Sequence, residues 1–263
     1  MKLPALHGTC NQTDFFIYAA CDQQYFTDFG PAFIHSIRAN TTANIHIHIF
    51  NPAASQLEFC RHHNVGVTWE YVPMELFEHS AERWSSLPAS DPELSRYNRT
   101  LTAMSKGQDT GLTQRLQKTY YACARFIRLA ELYQQIPMLA VDIDAVVCNS
   151  FPDLSSQHDF YIHHISGKRA RYLAGGLWLN PSAQCQQFLN AYASELRSWF
   201  ERDYVYWGLD QDLLDPIVPN FNHGQLPIEY IDWNMQPQSY IWTAKGTRKS
   251  LQSFIAAQKK YTA

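Results

Sequence analysis

One apolar run limits what this chain can become. Leu139-Ala140-Val141 and Ala145-Val146-Val147 flank the triplet Asp142-Ile143-Asp144, with Pro137 before the run and Asn149-Ser150 after it. A run of this kind reads as a strand near the centre of a sheet, covered on both faces. A carboxylate inside such a strand is costly unless a metal or a partner compensates it. Side chains at i and i+2 leave a strand on one side. Asp142 and Asp144 are therefore expected to address one point at the strand's carboxyl end, where open α/β sheets bind ligands. Two hard oxygen ligands there suit Mn²⁺ or Mg²⁺, with a phosphate completing the shell. Taken alone, Asp-x-Asp is a common triplet, and two solvated acids at a strand end are the plain alternative.

The residues before this run alternate between strand and helix patterns. Phe15-Phe16-Ile17-Tyr18-Ala19-Ala20 is an apolar run feeding a polar turn, Cys21-Asp22-Gln23-Gln24-Tyr25. Pro31 then suits the first turn of a helix through Phe33, Ile34 and Ile37. Residues 44–50 alternate, with isoleucines on one face and His46 and His48 on the other, which suggests a half-exposed strand. A short helix over 55–63 and a third strand over 65–72 follow. This order argues for a mostly parallel sheet.

Residues 73–115 break the rhythm with turn formers. They read as a lid or binding loop with a basic tint from Arg96, Arg99, Lys106 and Arg115. Residues 116–133 are helical with two apolar faces, interrupted by Arg125 and Arg128, each of which needs a partner. An arginine from this helix can reach anionic groups gathered at Asp142 and Asp144.

Beyond the acids, residues 160–165 read as a short strand and Lys168-Arg169-Ala170-Arg171 as a basic loop. Gly175 and Gly176 are expected before a strand, where glycine permits close backbone approach to a ligand. Asn180 and Pro181 read as the cap and first residue of a helix carrying Phe188, Tyr192, Leu196 and Trp199. Gly208 turns the chain into Asp210-Gln211-Asp212 at a helix start, where acids suit the helix dipole. Possible strands fall near Ile217 and Ile228, and a last helix follows Lys245, Gly246, Arg248 and Lys249, basic residues able to hold a diphosphate.

The whole chain of 263 residues, 46% hydrophobic and 17% charged, is enough for a sizeable core. A net charge of −3 supplies no basic field, so nucleic acid is not an expected partner. The six scattered cysteines form no C-x-x-C pair and read as buried thiols of a reducing compartment. With neither a signal-like start nor a long apolar span, the expected location is cytoplasmic, with peripheral contact to a membrane left open. The triplets at Asn11, Asn40 and Asn98 are then chance matches to a glycosylation site.

Taken in order, these segments resemble the GT-A glycosyltransferases, and most the retaining glycosyltransferase family 8 of glycogenin and galactosyltransferase type. The resemblance spans roughly residues 15–250. It is carried by Ala19-Ala20-Cys21-Asp22, Ala124-Arg125-Phe126, Asp142-Ile143-Asp144, Gly175-Gly176-Leu177-Trp178-Leu179-Asn180, Asp210-Gln211-Asp212 and Gly246-Thr247-Arg248-Lys249. It implies an α/β fold with a single GT-A (Rossmann-like) domain over 1–263, a mostly parallel central sheet and flanking helices. Residues 1–145 would form the nucleotide-sugar half, and 146–263 the acceptor half and C-terminal tail.

The implied activity is sugar transfer from a nucleotide sugar, a UDP-sugar, to a glycan, lipid or protein hydroxyl, with retention. The resemblance implies a metal on Asp142 and Asp144 and donor contacts from Ala19, Ala20, Asp22, Tyr25, Arg125, Ile143, Gly246 and Lys249. It implies acceptor contacts from Gly175, Gly176 and Asn180, and catalytic roles for Asp210, Gln211 and Asp212. Two positions depart from the pattern. Thr243 stands where the family usually has a metal-binding histidine, and Ala174 where an asparagine often precedes the glycine. The departure at Thr243 motivates one alternative, a degenerate transferase that binds nucleotide sugars without turnover. A second alternative is a haloacid dehalogenase-type phosphatase, which also uses a strand-end Asp-x-Asp.

Overall fold

The computed structural model describes residues 1–88, 90–91, 95, 111–154, 157–167, 171–244 and 246–262. Chain order begins with β1 (Phe16–Asp22), α1 (Gln23–Asn40), β2 (Asn44–Phe50), α2 (Ala54–His62), β3 (Gly66–Glu70) and α3 (Glu75–Ser85). It continues with α4 (Leu112–Leu132), β4 (Met138–Val141), β5 (Ala145–Val147), β6 (Phe160–Ile165) and β7 (Arg171–Leu179). Then come α5 (Ala183–Glu201), α6 (Leu209–Asp212), α7 (Leu214–Ile217), β8 (His223–Gln225), β9 (Ile241–Thr243) and α8 (Gln252–Thr262).

Seven strands form one sheet in the order β3-β2-β1-β4-β7-β6-β8, with β5 and β9 paired separately. β3, β2, β1 and β4 are mutually parallel, and β7 runs against both β4 and β6. The chain builds outward from β1 to β3, then crosses back to place β4 on the other side of β1. That reversal opens a crevice between the carboxyl ends of β1 and β4. Asp22 ends β1, and Asp142 follows β4 directly.

Two cores sandwich the sheet. One face packs Ile17, Ile45, Ile47, Ile49 and Leu139 against Phe26, Phe33, Ile34 and Ile37 of α1. The other packs Tyr18, Phe50 and Leu177 against Tyr120 and Ile127 of α4 and Phe188, Tyr192 and Leu196 of α5. At about 25 cal/mol per Å² of apolar surface removed from water, this two-sided burial is the main stabilising term.

Several local expectations are corrected. Helix α1 starts well before Pro31, because the Asp22 carboxylate caps it by accepting from Tyr25 N at 2.7 Å. Pro31 lies inside the helix and offers no N–H to Thr27. His46 and His48 are fully buried rather than half exposed, since α4 covers their face of β2. Phe50, two residues on and on the same face, is the apolar signal for that burial. The 73–115 stretch contains helix α3, with Phe77, Ser80 and Trp84 buried. Arg96, Arg99, Lys106, Lys168, Arg169, Lys245 and Asn98 lie outside the described residues. Ser182, not Asn180, caps α5, its side chain accepting from Cys185 N. Near Ile217 and Ile228 there are helical turns instead of strands. All six cysteines are free thiols, and only Cys148 is less than buried. Among the described residues no helix is long and apolar enough to cross a membrane.

The buried imidazoles carry a consequence for stability. Burial lowers the His46 pKa from 6.5 to about 4 and takes His48 well below 6.5. Thr68 Oγ1 sits 3.1 Å from one nitrogen of each ring. The unfolded chain takes up protons near pH 6.5 and the folded chain only near pH 4. This contribution to stability is therefore complete above pH 6.5 and is lost as pH falls toward 4. Urea titrations at pH 7, 6, 5 and 4.5 should show the midpoint falling, with a shallower fall in His46→Gln. Parallel profiles for the two proteins would mean His46 is not protonated on unfolding.

Candidate active site

The site begins where the expected long strand ends early. β4 stops at Val141, and Asp142-Ile143-Asp144 forms a turn closed by Ala145 N donating to Asp142 O at 3.0 Å. The chain then leaves the main sheet, and β5 pairs antiparallel with β9. A carboxylate pair is thus carried just past the carboxyl end of a central strand instead of within it. Ile143, 2% exposed, pins the turn to the core beneath while the acids stand on either side of it. Asp144 is buried and Asp142 half-buried.

Each acid is met by a cation. Arg125 Nη1 of α4 donates to Asp142 Oδ1. Its Nη2 donates to Ala174 O at 3.2 Å and reaches Asp210 Oδ2 at 3.4 Å. Lys249 Nζ lies 2.7 Å from Asp144 Oδ2 and 3.0 Å from Tyr25 Oη. Tyr25 N in turn bonds the Asp22 carboxylate. Two polar chains, Asp22-Tyr25-Lys249-Asp144 and Asp142-Arg125-Asp210, therefore end on the two acids of this turn, and they draw on segments scattered over most of the sequence. Arg128, the other arginine interrupting α4, turns away from the site and is buried against Glu70 and Glu131.

Burial sets the electrostatics. It works against the charge on Arg125, but Asp142 and Asp210 outweigh it and hold the guanidinium pKa above its ordinary value. Burial raises the Asp144 pKa, and the Asp142 charge adds to this, while Lys249 pulls it down. Lys249 is lifted, Asp144 outweighing its desolvation. The two partners' shifts pull opposite ways on the stability of their pair. The 2.7 Å contact favours the lysine's direction, an ionised pair with its proton held on nitrogen.

The two glycines lie inside β7, not before it. β6 advances two residues from Ile162 to His164 while β7 advances five from Leu177 back to Tyr172. The three extra residues bulge β7 outward at Leu173 to Gly176. The bulge brings Ala174 O to Arg125 and leaves Gly175 so near Asp142 that an added Cβ would meet Oδ2 at 3.3 Å. At Gly176 an added Cβ would collide with Ile231 Cγ2, so this glycine serves packing.

Asp210 is delivered by Gly208, whose φ of +88° starts α6. Tyr192 Oη donates to the Asp210 carbonyl and fixes the turn from behind. Gln211 Oε1 is buried without a hydrogen-bond partner, an acceptor left open beside the cluster. Asp212 is exposed and its Oδ2 accepts from Tyr206 Oη at 3.0 Å. Ala19 is fully buried in β1 and Ala20 half-buried.

Asn180 does not join the cluster. Leu179 pairs with Met138, at the far end of β4 from Asp142. The Asn180 side chain accepts from Trp178 Nε1 at 3.0 Å and donates to His158 O at 2.7 Å, a structural use. Sequence reasoning also missed Asp232, buried at 2%, whose carboxylate accepts from Asn234 N, Gln236 N and Ser239 Oγ. That cap organises the loop leading into β9. The local signal was Asp followed two residues later by Asn, an Asx-turn pattern.

Two carboxylates flanking one turn fit a hard divalent ion that keeps waters and takes phosphate oxygens for the rest of its shell. Among the described residues no group of three or more His, Cys, Asp or Glu is assembled for a metal, so this pair would be the protein's contribution. Thr243 sits opposite Ala145 in the β5–β9 register, next to Asp144, but its hydroxyl is turned to Ile231 O at 3.3 Å.

The fold has solved counterparts. The galactosyltransferase LgtC, in complex with donor and acceptor sugar analogues, aligns over 94% of this chain and 96% of its own, with TM-score 0.52 and 14% identity. The chain has the GT-A glycosyltransferase fold. The glycosyltransferase GlyE from Streptococcus pneumoniae TIGR4 aligns at TM-score 0.55 and 12% identity over 95% of this chain and 61% of its own. An active-site mutant of LgtC aligns at TM-score 0.52 and 12% identity over 93% of this chain and 95% of its own. No protein-family model matches the chain, and no curated sequence is similar to it. The GT-A fold replaces the one expected for a haloacid dehalogenase-type phosphatase.

Two substitutions separate packing from site. Gly176→Ala should lose about 1–3 kcal/mol of stability by overpacking against Ile231. Asn180→Ala should also destabilise. Urea melts of both variants check this, and an Asn180→Ala protein that keeps its stability but loses acceptor binding would return that residue to the acceptor contacts expected of it.

Proposed function

We propose that this chain is a glycosyltransferase that moves a sugar from a nucleotide sugar, a UDP-sugar, to an acceptor hydroxyl with retention. One observation carries the proposal. The acids Asp142 and Asp144 stand at the β1/β4 crevice of a GT-A fold, Asp142 met by Arg125, which also reaches Asp210, and Asp144 met by Lys249. A site holding both carboxylates and movable cations suits a ligand that brings its own metal and its own negative charge.

In this reading Asp142 and Asp144 hold Mn²⁺ or Mg²⁺. When bound, the ion supplies Lewis-acid stabilisation of the departing diphosphate. The remaining work falls to the chain. Arg125 and Lys249 are released from the acids to balance charge on the leaving group. Asp22 and the backbone at Ala19, Ala20 and Ile143 line the nucleotide side of the crevice, with Tyr25 and Gly246 beside Lys249. The close backbone at Gly175 leaves room for a sugar or an acceptor against Asp142.

Gln211 Oε1 offers its vacant acceptor position to a sugar hydroxyl, with Asp210 as the neighbouring negative charge for an oxocarbenium-like state. Residues 1–145 would serve the nucleotide and 146–263 the acceptor, whether glycan, lipid or protein. Thr243, a poor metal ligand with its hydroxyl engaged elsewhere, favours a second version of the same site, which binds the donor without turning it over.

A thermal-shift and turnover panel of UDP-sugars with Mn²⁺ tests the proposal. The protein should be stabilised by UDP only with the metal present, and Asp142→Asn, which keeps the fold but melts lower because Arg125 loses its partner, should abolish that shift. Release of UDP from one donor marks a transferase. Binding without release marks the donor-binding version, and no metal-dependent shift with any donor defeats both.

A further inference from the structure

Thr243 at the end of β9 lies opposite Ala145 of β5, the residue after Asp144, and Lys249 six residues on reaches Asp144. Gly246, with φ of +63°, turns the chain into a short 3₁₀ helix, Gly246–Ser250, in which no residue is buried. Such a segment, with little packing of its own, opens at low cost. Its Lys249 is nonetheless held firmly. The ammonium bonds Asp144 Oδ2 and Tyr25 Oη, and it stands 4.3 Å from the Tyr25 ring centre and 5.1 Å from that of Phe29. Cation–aromatic contacts of this kind add to the ion pair when both are sheltered. The Asp144 side chain is only 11% exposed, so its charge is answered by this one lysine more than by water.

An ion ligated by Asp144 needs the same carboxylate. An ammonium and a divalent ion drawn to one sheltered carboxylate repel each other, and the repulsion grows with the ion's charge. Lysine and metal therefore compete.

We propose that Lys249 is a tethered counter-ion of Asp144 which a divalent ion must displace, and that a nucleotide diphosphate drives the exchange by giving the lysine a replacement anion. The proposal rests on the nucleotide-sugar reading above. The flexible four-carbon stem and the unburied helix that carries it let the ammonium swing without unfolding the core. Metal and diphosphate are then coupled through one side chain. Each raises the affinity of the other by the same factor, as linkage requires. Metal alone binds weakly, and the empty site keeps its buried acid neutralised.

Mn²⁺ titrations read by electron paramagnetic resonance test this on the full chain, with and without UDP, for the wild type, Lys249→Met and Lys249→Arg. Circular dichroism of each variant checks the fold. Without UDP, Lys249→Met should bind Mn²⁺ at least about 5-fold more tightly than the wild type, and Lys249→Arg about equally to it. UDP should raise Mn²⁺ affinity of the wild type by about 10-fold or more, within the usual range for coupled sites, and much less in Lys249→Met.

A second measurement does not depend on Lys249→Met folding. With lysine Cε labelled by ¹³C, the Lys249 signal, identified by its loss in Lys249→Arg, should shift when Mg²⁺ and UDP are added together. Unchanged Mn²⁺ affinity in Lys249→Met, or an unmoved Lys249 signal, overturns the exchange if the wild type still binds UDP with metal. Absence of metal-dependent UDP binding in the wild type overturns the exchange and the nucleotide-sugar reading together.

Discussion

Negative charge at the rim of a sheet buried on both faces has to be answered, and here it is answered by the chain itself. Asp142 and Asp144 follow β4 into the crevice beside β1, where Asp144 is buried and a bare carboxylate is costly, while Asp142 keeps some contact with water. Arg125 comes from the helix that covers one face of the sheet, and Lys249 from the segment that follows β9. Neither cation is local in sequence to its acid. The two ion pairs therefore tie α4, the β4–β5 turn and the C-terminal segment together at one point. Through Asp210 and Tyr25 the tie extends to α6 and α1.

The surrounding fold explains why the point lies there. The sheet reverses its building direction at β1, which leaves the crevice, and the Asp22 cap turns the chain sharply into α1 on one side of it. On the other side β7 bulges at Gly175, bringing backbone close to Asp142 where a side chain would crowd the acid. Removing one member of a sheltered charge pair leaves the other exposed to the full desolvation penalty. A ligand that brings both a cation and an anion does not incur it, because each protein charge changes partner without losing one.

Much of this was legible from residues alone. The strand and helix order through β3, the doubly apolar α4 and the approach of one of its two arginines to the acids follow from periodicity and from the need of buried charge for a partner, whereas the choice of Arg125 over Arg128 rests on the resemblance. The Asp-x-Asp run was read as one strand, because a continuous apolar pattern cannot register that the chain leaves one sheet for another at Asp142. That switch depends on β9, a strand distant in sequence. Burial of His46 and His48 was missed for a similar reason, since alternation reports which faces differ, not whether both are covered. Asn180 misled because Asn-Pro is a frequent helix start, whereas its amide is used between Trp178 and His158 and Ser182 caps the helix instead. The pairing of Lys249 with Asp144 was invisible to any local pattern, though the lysine itself was singled out.

The account turns on where a divalent ion and a diphosphate settle. Anomalous diffraction from a crystal grown with Mn²⁺ and UDP measures this directly. The expected map has a manganese peak bound by Asp142 and Asp144, with the diphosphate on its open side and the Lys249 ammonium moved from Asp144 to a phosphate oxygen. A manganese peak elsewhere, or UDP bound while Asp142 and Asp144 keep their present pairing with Arg125 and Lys249, would contradict it.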